Sequence, residues 1–188
     1  MEWAVKRGGI FIKKIGKTCQ WQCAEGHVFN QTLNRVKFRG KWCPTCGTKG
    51  ERKVREFFRK YNIPFVAQAT FSEIPNRKYD FYFEWNNKRY LVEYDGEQHF
   101  RYVRKYHKTK QGFLESQRVD RVKTHFGLMI GCTVVRIDCT QEEWIHDHLM
   151  RALCCNTTLY LSYPERYKYL WTPMSREELS QYVPGLRL

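Results

Sequence analysis

The stretch from Tyr79 to Asp95 constrains the fold more tightly than any other part of the chain. Two runs dense in aromatic and branched residues, 79–85 and 88–95, flank the pair Asn86-Asn87. Asn tolerates the left-handed backbone of a two-residue hairpin turn, so the runs are expected to pair antiparallel with Trp85 opposite Lys88. Counting back then sets Asp80 opposite Glu93, where cross-strand Cβ atoms lie about 4.5–5.5 Å apart. Asp95, two residues past Glu93, shares that face. Three carboxylates crowded among Phe81, Phe83, Leu91 and Val92 repel one another unless something compensates. A bound hard cation is the simplest compensation, and oxygen ligands favour magnesium or manganese. A solvated polar face near arginines is the alternative.

A second constellation precedes the hairpin. Cys23 and His27 stand four apart, and Cys43-Pro44-Thr45-Cys46 supplies a CxxC knuckle sixteen positions after the histidine. Three thiolates and one imidazole complete a tetrahedron, and four protein ligands make a closed, structural zinc site. Cys19 competes with His27 for the fourth place. Cys132, Cys139, Cys154 and Cys155 lack partners at ligand spacing and are expected to be core or incidental. Between the ligand pairs, Arg35, Lys37, Arg39 and Lys41 alternate with Val36, Phe38 and Gly40. On a strand this would turn four cations to one face, where phosphates meet them.

Charge points the same way. Lys and Arg total 33 against 19 acidic residues, a formal +14 spread along all 188 residues. A polyanion is the natural partner, because cations at phosphates gain affinity by releasing counterions. With 42% hydrophobic residues the chain can bury a core, so disorder is not expected. No run approaches the ~18 apolar residues of a membrane helix, and the N-terminus lacks a signal peptide's apolar run and cleavage site. The expectation is an intracellular protein, cytoplasmic or nuclear, of cellular, phage or viral origin, without a membrane partner. In a reducing compartment the cysteines serve metal binding rather than disulfides.

The remaining pattern reads as α/β. Residues 1–18 are expected to form a short strand. Val54, Phe57, Phe58 and Tyr61 recur at helical spacing before Asn62-Ile63-Pro64 ends a helix that starts near Thr48 or Gly50. A strand over 65–71, the hairpin, a loop over 100–110, a helix over 113–126, a strand over 132–138 and an amphipathic helix over 141–153 follow. The Tyr-rich tail is expected to end in a short helix opened by a Ser175–Glu178 capping box. Two domains result: a zinc module over 1–48 and an α/β domain over 49–188.

The zinc residues Trp21, Cys23, Gly26, His27, Cys43, Pro44 and Cys46 resemble treble-clef or zinc-ribbon modules reading W-x-C-x-x-G-H…C-P-x-C. The run Tyr79-Asp80-Phe81 through Glu93-Tyr94-Asp95-Gly96-Glu97-Gln98-His99-Phe100 resembles the PD-(D/E)XK nuclease superfamily. Its closest likeness is to the very-short-patch-repair-like branch that includes the EDxHD homing endonucleases. The likeness spans about Gly50 to Asp138. It implies a restriction-endonuclease-like mixed sheet flanked by helices, and magnesium-dependent hydrolysis of DNA phosphodiesters by nicking or double-strand cleavage. Glu51 sits at the family's first-helix glutamate, and Asp80 and Glu93 at its two hairpin acids. His99 takes the position of the histidine beyond them, Asp120 and Lys123 that of a D-x-x-K pattern, and Arg136-Ile137 that of an R-I strand end. One departure stands out: Asp95 replaces the lysine of E-x-K, leaving open whether His99, Lys123 or neither activates water.

The mechanism this implies uses a cation on Asp80 and Glu93 to polarise phosphate and acidify a water, with His99 moving a proton. Arg101, Arg104, Lys105, Lys108 and Lys110, interleaved with Tyr102, Tyr106 and His107, would grip backbone and bases. Plainer roles exist for each. Glu51 can close a capping box with Thr48, His99 can be a surface histidine, and Asp120 with Lys123 can be an i, i+3 surface pair. A non-catalytic nucleic-acid-binding protein on a nuclease fold and an RNA-processing nuclease are the rival functions. A homodimer is left open.

Overall fold

The computed structural model describes residues 2–183. The chain divides into two compact units, Met1–Arg52 and Lys53–Leu188.

The first unit opens with a helical turn, α1 (Glu2–Val5), where a strand was expected over 1–18, and only then with β1 (Ile10–Ile15). Strand β2 (Thr18–Gln22) lies between β1 and β3 (Val28–Gln31), antiparallel to both. Its alternation turns Cys19 and Trp21 inward. Trp21 is fully buried and meets Phe11 and Trp42 edge-on, with ring centroids 5.3 and 5.7 Å apart. Gly9 is required by close approach, since a Cβ there would sit 2.3 Å from the Gln22 carbonyl oxygen. Residues 33–37 form a short helix, α2 (Leu33–Lys37), capped by the Thr32 side chain. This corrects the expected strand: 100° per residue separates Arg35 from Lys37 on a helix, so the four cations do not share one face by alternation. All four are nevertheless exposed.

Helix α3 (Lys49–Lys60) carries Val54, Phe57 and Phe58 into the core of the second unit. It stops where Asn62 adopts φ 50° ahead of Pro64. A five-stranded mixed sheet follows, ordered β4 (Phe65–Thr70), β5 (Lys78–Trp85), β6 (Lys88–Asp95), β7 (Cys132–Asp138), β8 (Leu159–Leu161). The first three strands are antiparallel neighbours, while β6, β7 and β8 run parallel. Asn86 and Asn87 both take positive φ, 48° and 60°, and Trp85 pairs with Lys88 in the register the turn dictates. Strand β8 was not foreseen.

The β6–β7 crossover holds the stretch expected to be a loop. It forms a 3-10 turn (Glu97–His99), a single turn α4 (Arg104–His107) and the long helix α5 (Lys110–Met129). Thr109 caps α5 by accepting from the Gly112 N–H. Val122 and Phe126 of α5 bury one sheet face with Tyr79 and Leu91. The other face packs on α3 and α6 (Ile145–Cys154) through Phe81, Phe83, Tyr90, Val92, Ile145 and Leu149. Gly127 lets α5 press onto the sheet, since a Cβ would lie 2.6 Å from Val134 Cγ2. A 3-10 strap (Pro164–Trp171) and α7 (Arg176–Tyr182), opened by its Ser175–Glu178 capping box, complete the unit.

Candidate metal centre and candidate active site

The core of the first unit is small, built on Ala4, Trp21, Phe29, Val36 and Trp42 with Cys19, Cys23, Cys43 and Cys46 among them, and a core of this size is one that a bound metal would help to hold. Cys23 Sγ lies 3.4 Å from His27 Nδ1 and 3.5 Å from Cys46 Sγ. His27 Nδ1 lies 3.4 Å from Cys46 Sγ and 3.7 Å from Cys43 Sγ. A tetrahedron with Zn–S near 2.3 Å and Zn–N near 2.0 Å has edges of about 3.5–3.8 Å, so the donor set is shaped for such an ion. Burial and the neighbouring thiols push Cys46 well above the usual thiol range; packed thiols of this kind are what a metal converts to thiolates. Cys19 is buried in β2 and lies outside this group. The quartet can hold a metal such as zinc.

In the second unit the carboxylates gather at the C-terminal ends of β6 and β7. The paired register of β5 and β6 runs from Trp85↔Lys88 to Phe81↔Val92, as the hairpin required, but does not extend to the expected Asp80↔Glu93 pair. At Asp80 the strand departs from regular pleating. Tyr79 joins the α5-side core whereas Phe81 joins the opposite one, although strict alternation would put both on one face. On β4, Gln68 takes φ 53° beside this point and donates to Asp80 Oδ1 at 3.5 Å. The Tyr94 N–H donates to Asp80 Oδ2 at 2.9 Å. Asp80 is thus fixed against the backbone one residue past Glu93, and it stays half-buried.

Glu93 is 5% exposed, and Lys123 Nζ on α5 lies 2.5 Å from its Oε1. Tyr79 shapes this contact, donating its hydroxyl to the Lys123 carbonyl at 2.6 Å with its ring centroid 5.0 Å from the ammonium. Burial raises the Glu93 carboxyl above its usual range, against the opposing pull of Lys123 and Arg136. Asp95 is matched differently. Arg136, fully buried on β7, grips it with Nε and Nη2 at 2.9 and 2.6 Å, and the Tyr167 hydroxyl adds a third bond at 2.9 Å. Crowded carboxylates on this face are therefore compensated by fixed protein cations. For Glu93 and Asp95 these cations are a compensation that the hairpin alone did not reveal, beside the bound cation that crowding suggested.

The same guanidinium reaches Asp120 on α5, with Nη2 3.1 Å from its carboxylate, while Nη1 donates to the Asp120 carbonyl and Thr124 Oγ1. Asp120 is also 2.7 Å from His99 Nδ1 and accepts from the Tyr169 hydroxyl at 3.2 Å. Burial alone would raise Asp120, but Arg136 and His99 overcome it and hold the carboxyl well below its usual range. His99 is opposed by burial, yet Asp95 and Asp120 carry its pKa up to about 8. Its Nε2 has no partner among the described residues.

Asp95, His99 and Asp120 present ligand atoms within 4.8 Å of one another. Arg136 already fills the space between the two carboxylates, and with His99 protonated the cluster is neutral. A cation on this donor set would compete with Arg136 for the two carboxylates.

Glu51 closes a reciprocal capping box, accepting from the Thr48 N–H while its own N–H donates to Thr48 Oγ1; it belongs to the first unit. Arg101 is paired with Glu97 at 2.8 Å. Arg104 and Lys105 on α4, Lys108 just past it and Lys110 at the start of α5 are exposed, with Tyr106 among them. His107 instead turns inward and accepts from the Val103 N–H.

Sequence reading missed the strap. Arg166 binds Asp138 at 3.1 Å and Glu97 at 2.9 Å with its guanidinium 4.1 Å from the Phe100 ring centroid, and Tyr167 and Tyr169 reach Asp95 and Asp120. A signal existed: a strand reading Cys-Thr-Val-Val-Arg-Ile-Asp needs partners for its buried arginine and aspartate. No family model matches the chain, and no curated protein or solved structure shows a significant match to it.

Proposed function

We propose that the chain is a metal-dependent DNA endonuclease whose chemistry centres on Asp80, Glu93, Lys123 and His99, with a structural zinc in the first unit. The observation that carries this reading is the ammonium of Lys123 lying 2.5 Å from Glu93. The resembled motif lacks its lysine because Asp95 occupies that place, and α5 brings a lysine to the hairpin acid from elsewhere in the sequence. Asp80 and Glu93 would hold magnesium or manganese, which supplies a polarised phosphate and a more acidic water. Of the two, Asp80 is the accessible ligand. Lys123 is placed to steady negative charge building beside Glu93.

His99 is assigned the acid's part. A pKa of about 8 leaves it protonated at neutral pH, and Asp120 fixes its Nδ1 so that Nε2 carries the transferable proton. That proton would go to the leaving oxygen. Arg101, Arg104, Lys105, Lys108 and Lys110 supply phosphate contacts, consistent with a formal +14.

One observation favours a second reading. With His99 protonated, the four buried acids Glu93, Asp95, Asp120 and Asp138 face Lys123, Arg136, His99 and Arg166, so each of these charges has a protein partner without a bound cation. A non-catalytic nucleic-acid-binding protein would look the same. Incubating the zinc-loaded protein with supercoiled plasmid, with magnesium and without added metal, separates the two; a parallel structured RNA addresses RNA processing. Omission is the right control because a strong chelator would also strip zinc. Magnesium-dependent nicking or linearisation is the expected result, and unchanged plasmid with retained binding contradicts the reading.

A further inference from the structure

We infer that the turn Leu33–Lys41 of the first unit is a nucleic-acid-binding element of its own, with Phe38 stacking on an unpaired base. This rests on the reading of nucleic acid as partner but not on any cleavage chemistry. Residues 1–52 hold 11 of the 33 Lys and Arg but only 3 of the 19 acidic residues, giving +8 over 52 positions against +6 over the other 136. The charge is concentrated in the small unit, and within it Arg35, Lys37, Arg39 and Lys41 fall in seven positions with no acid among them.

Phe38 stands in the middle of these cations, 72% exposed, the most exposed of the large hydrophobic residues among those described. The turn that carries it is braced. Val36 is fully buried, Trp42 is 4% exposed, and Arg7 donates to the Val36 carbonyl at 3.1 Å. The Phe38 N–H is held by Asn34 O at 2.9 Å and the Lys41 N–H by Arg35 O at 3.0 Å. Phe38 therefore projects from a fixed frame, with Lys37 Nζ 4.9 Å from its ring centroid. A large ring held in water by a rigid turn contributes nothing to the core. An exposed aromatic ring with one cation against it and three more within three positions in sequence is the composition that binds nucleotides, the cations taking phosphates and the ring taking a base. In a duplex the base faces are stacked on each other, so the ligand is a single-stranded or unpaired segment.

Stacking on one base is worth about 1–3 kcal/mol, so Phe38→Ala should weaken binding of a short single-stranded oligonucleotide roughly fivefold to 150-fold. The assay is fluorescence anisotropy with the full zinc-loaded chain and no added magnesium, so cleavage does not enter. Phe38→Tyr should bind like wild type and Phe38→Leu like the alanine variant. The salt slope should be unchanged in Phe38→Ala and shallower by about one ion in Arg39→Ala. Zinc content and melting temperature of Phe38→Ala should equal wild type, since the side chain is exposed. Duplex binding should change less than twofold. Single-strand affinity unaltered by Phe38→Ala overturns the inference, as does an equal loss on duplex or a Phe38→Leu variant that binds fully. Failure of plasmid cleavage leaves every one of these results intact, so the two readings fall separately. Preferential loss of binding to anionic phospholipid vesicles instead of oligonucleotide would also overturn it, in favour of a membrane surface.

Discussion

Arg136→Met isolates the interaction that organises the carboxylate cluster. The guanidinium is fully buried, donates twice to Asp95, and lies 3.1 Å from the Asp120 carboxylate. Met fills much of the same volume, so lost packing is small and the change reads out charge. Removing one member of a buried ion pair costs about 3–5 kcal/mol. Two carboxylates are left here, which puts the cost at the upper end. At roughly 2–4 °C per kcal/mol for a domain of this size, the melting temperature should fall by about 10–15 °C. The loss should also depend on pH. Arg136, with His99 and Lys123 beside it, holds Asp120 far below its normal range, so without it that carboxyl titrates higher and takes up its proton more readily as pH falls. The deficit should therefore shrink at pH 5 and be largest above pH 8, where His99 too has lost its charge. Thermal melts of zinc-loaded wild type and variant across that range measure this. Adding Asp95→Asn to Arg136→Met should restore part of the stability, because the orphaned charge is gone. A variant melting within about 3 °C of wild type, or one equally destabilised at every pH, would refute the reasoning.

Three further expectations follow from the same contacts. His99 should titrate at about 8 by NMR. Because its folded pKa lies above the unfolded 6.5, it contributes about 2 kcal/mol below pH 6.5 that is lost as pH rises through 8; a titration at or under 6.5 contradicts the Asp120–His99 assignment. Glu93→Gln should cost less than the ~3 kcal/mol of a broken buried pair, since it strips the Lys123 side chain, 11% exposed, of its counter-charge but also removes a carboxylate whose charge burial disfavours. A second change, Lys123→Met, should recover most of that, and a Glu93→Gln protein as stable as wild type would show the pair to be dispensable. Elemental analysis should find one zinc per chain, lost on His27→Ala and kept on Cys19→Ala, because the donor atoms that converge are those of Cys23, His27, Cys43 and Cys46; the opposite pattern would reassign the ligands.

The legible parts of the sequence were those governed by local rules. Asn86-Asn87 set a register that Trp85↔Lys88 obeys, the cysteine and histidine spacing brought four donor atoms together, and Thr48–Glu51 and Ser175–Glu178 both closed capping boxes. What was not legible depends on long-range pairing. Lys123 and Arg136 reach Glu93 and Asp95 from α5 and β7, so the crowded acids looked unpaired when only the hairpin was considered. Strand β8 is three residues long, too short to show a period. The run Arg35–Lys41 alternates like a strand yet folds as a helix and turn, because the Thr32 cap and the buried Val36 set the local geometry. The aromatic, basic stretch after His99 carried no clear period, and its helical turn α4 is only four residues long.

The claim that hydrolysis occurs at the hairpin acids is tested most directly by single-turnover cleavage of plasmid DNA by Asp80→Asn beside wild type, at saturating protein and with magnesium. Asn keeps an oxygen to accept the Tyr94 N–H that fixes Asp80 at 2.9 Å, so the fold is retained while the charge that would hold the cation is removed. Cleavage should slow by at least about a hundredfold with DNA affinity within twofold of wild type, the pattern of an interaction made only in the transition state. A variant that cuts at the wild-type rate would place the chemistry elsewhere.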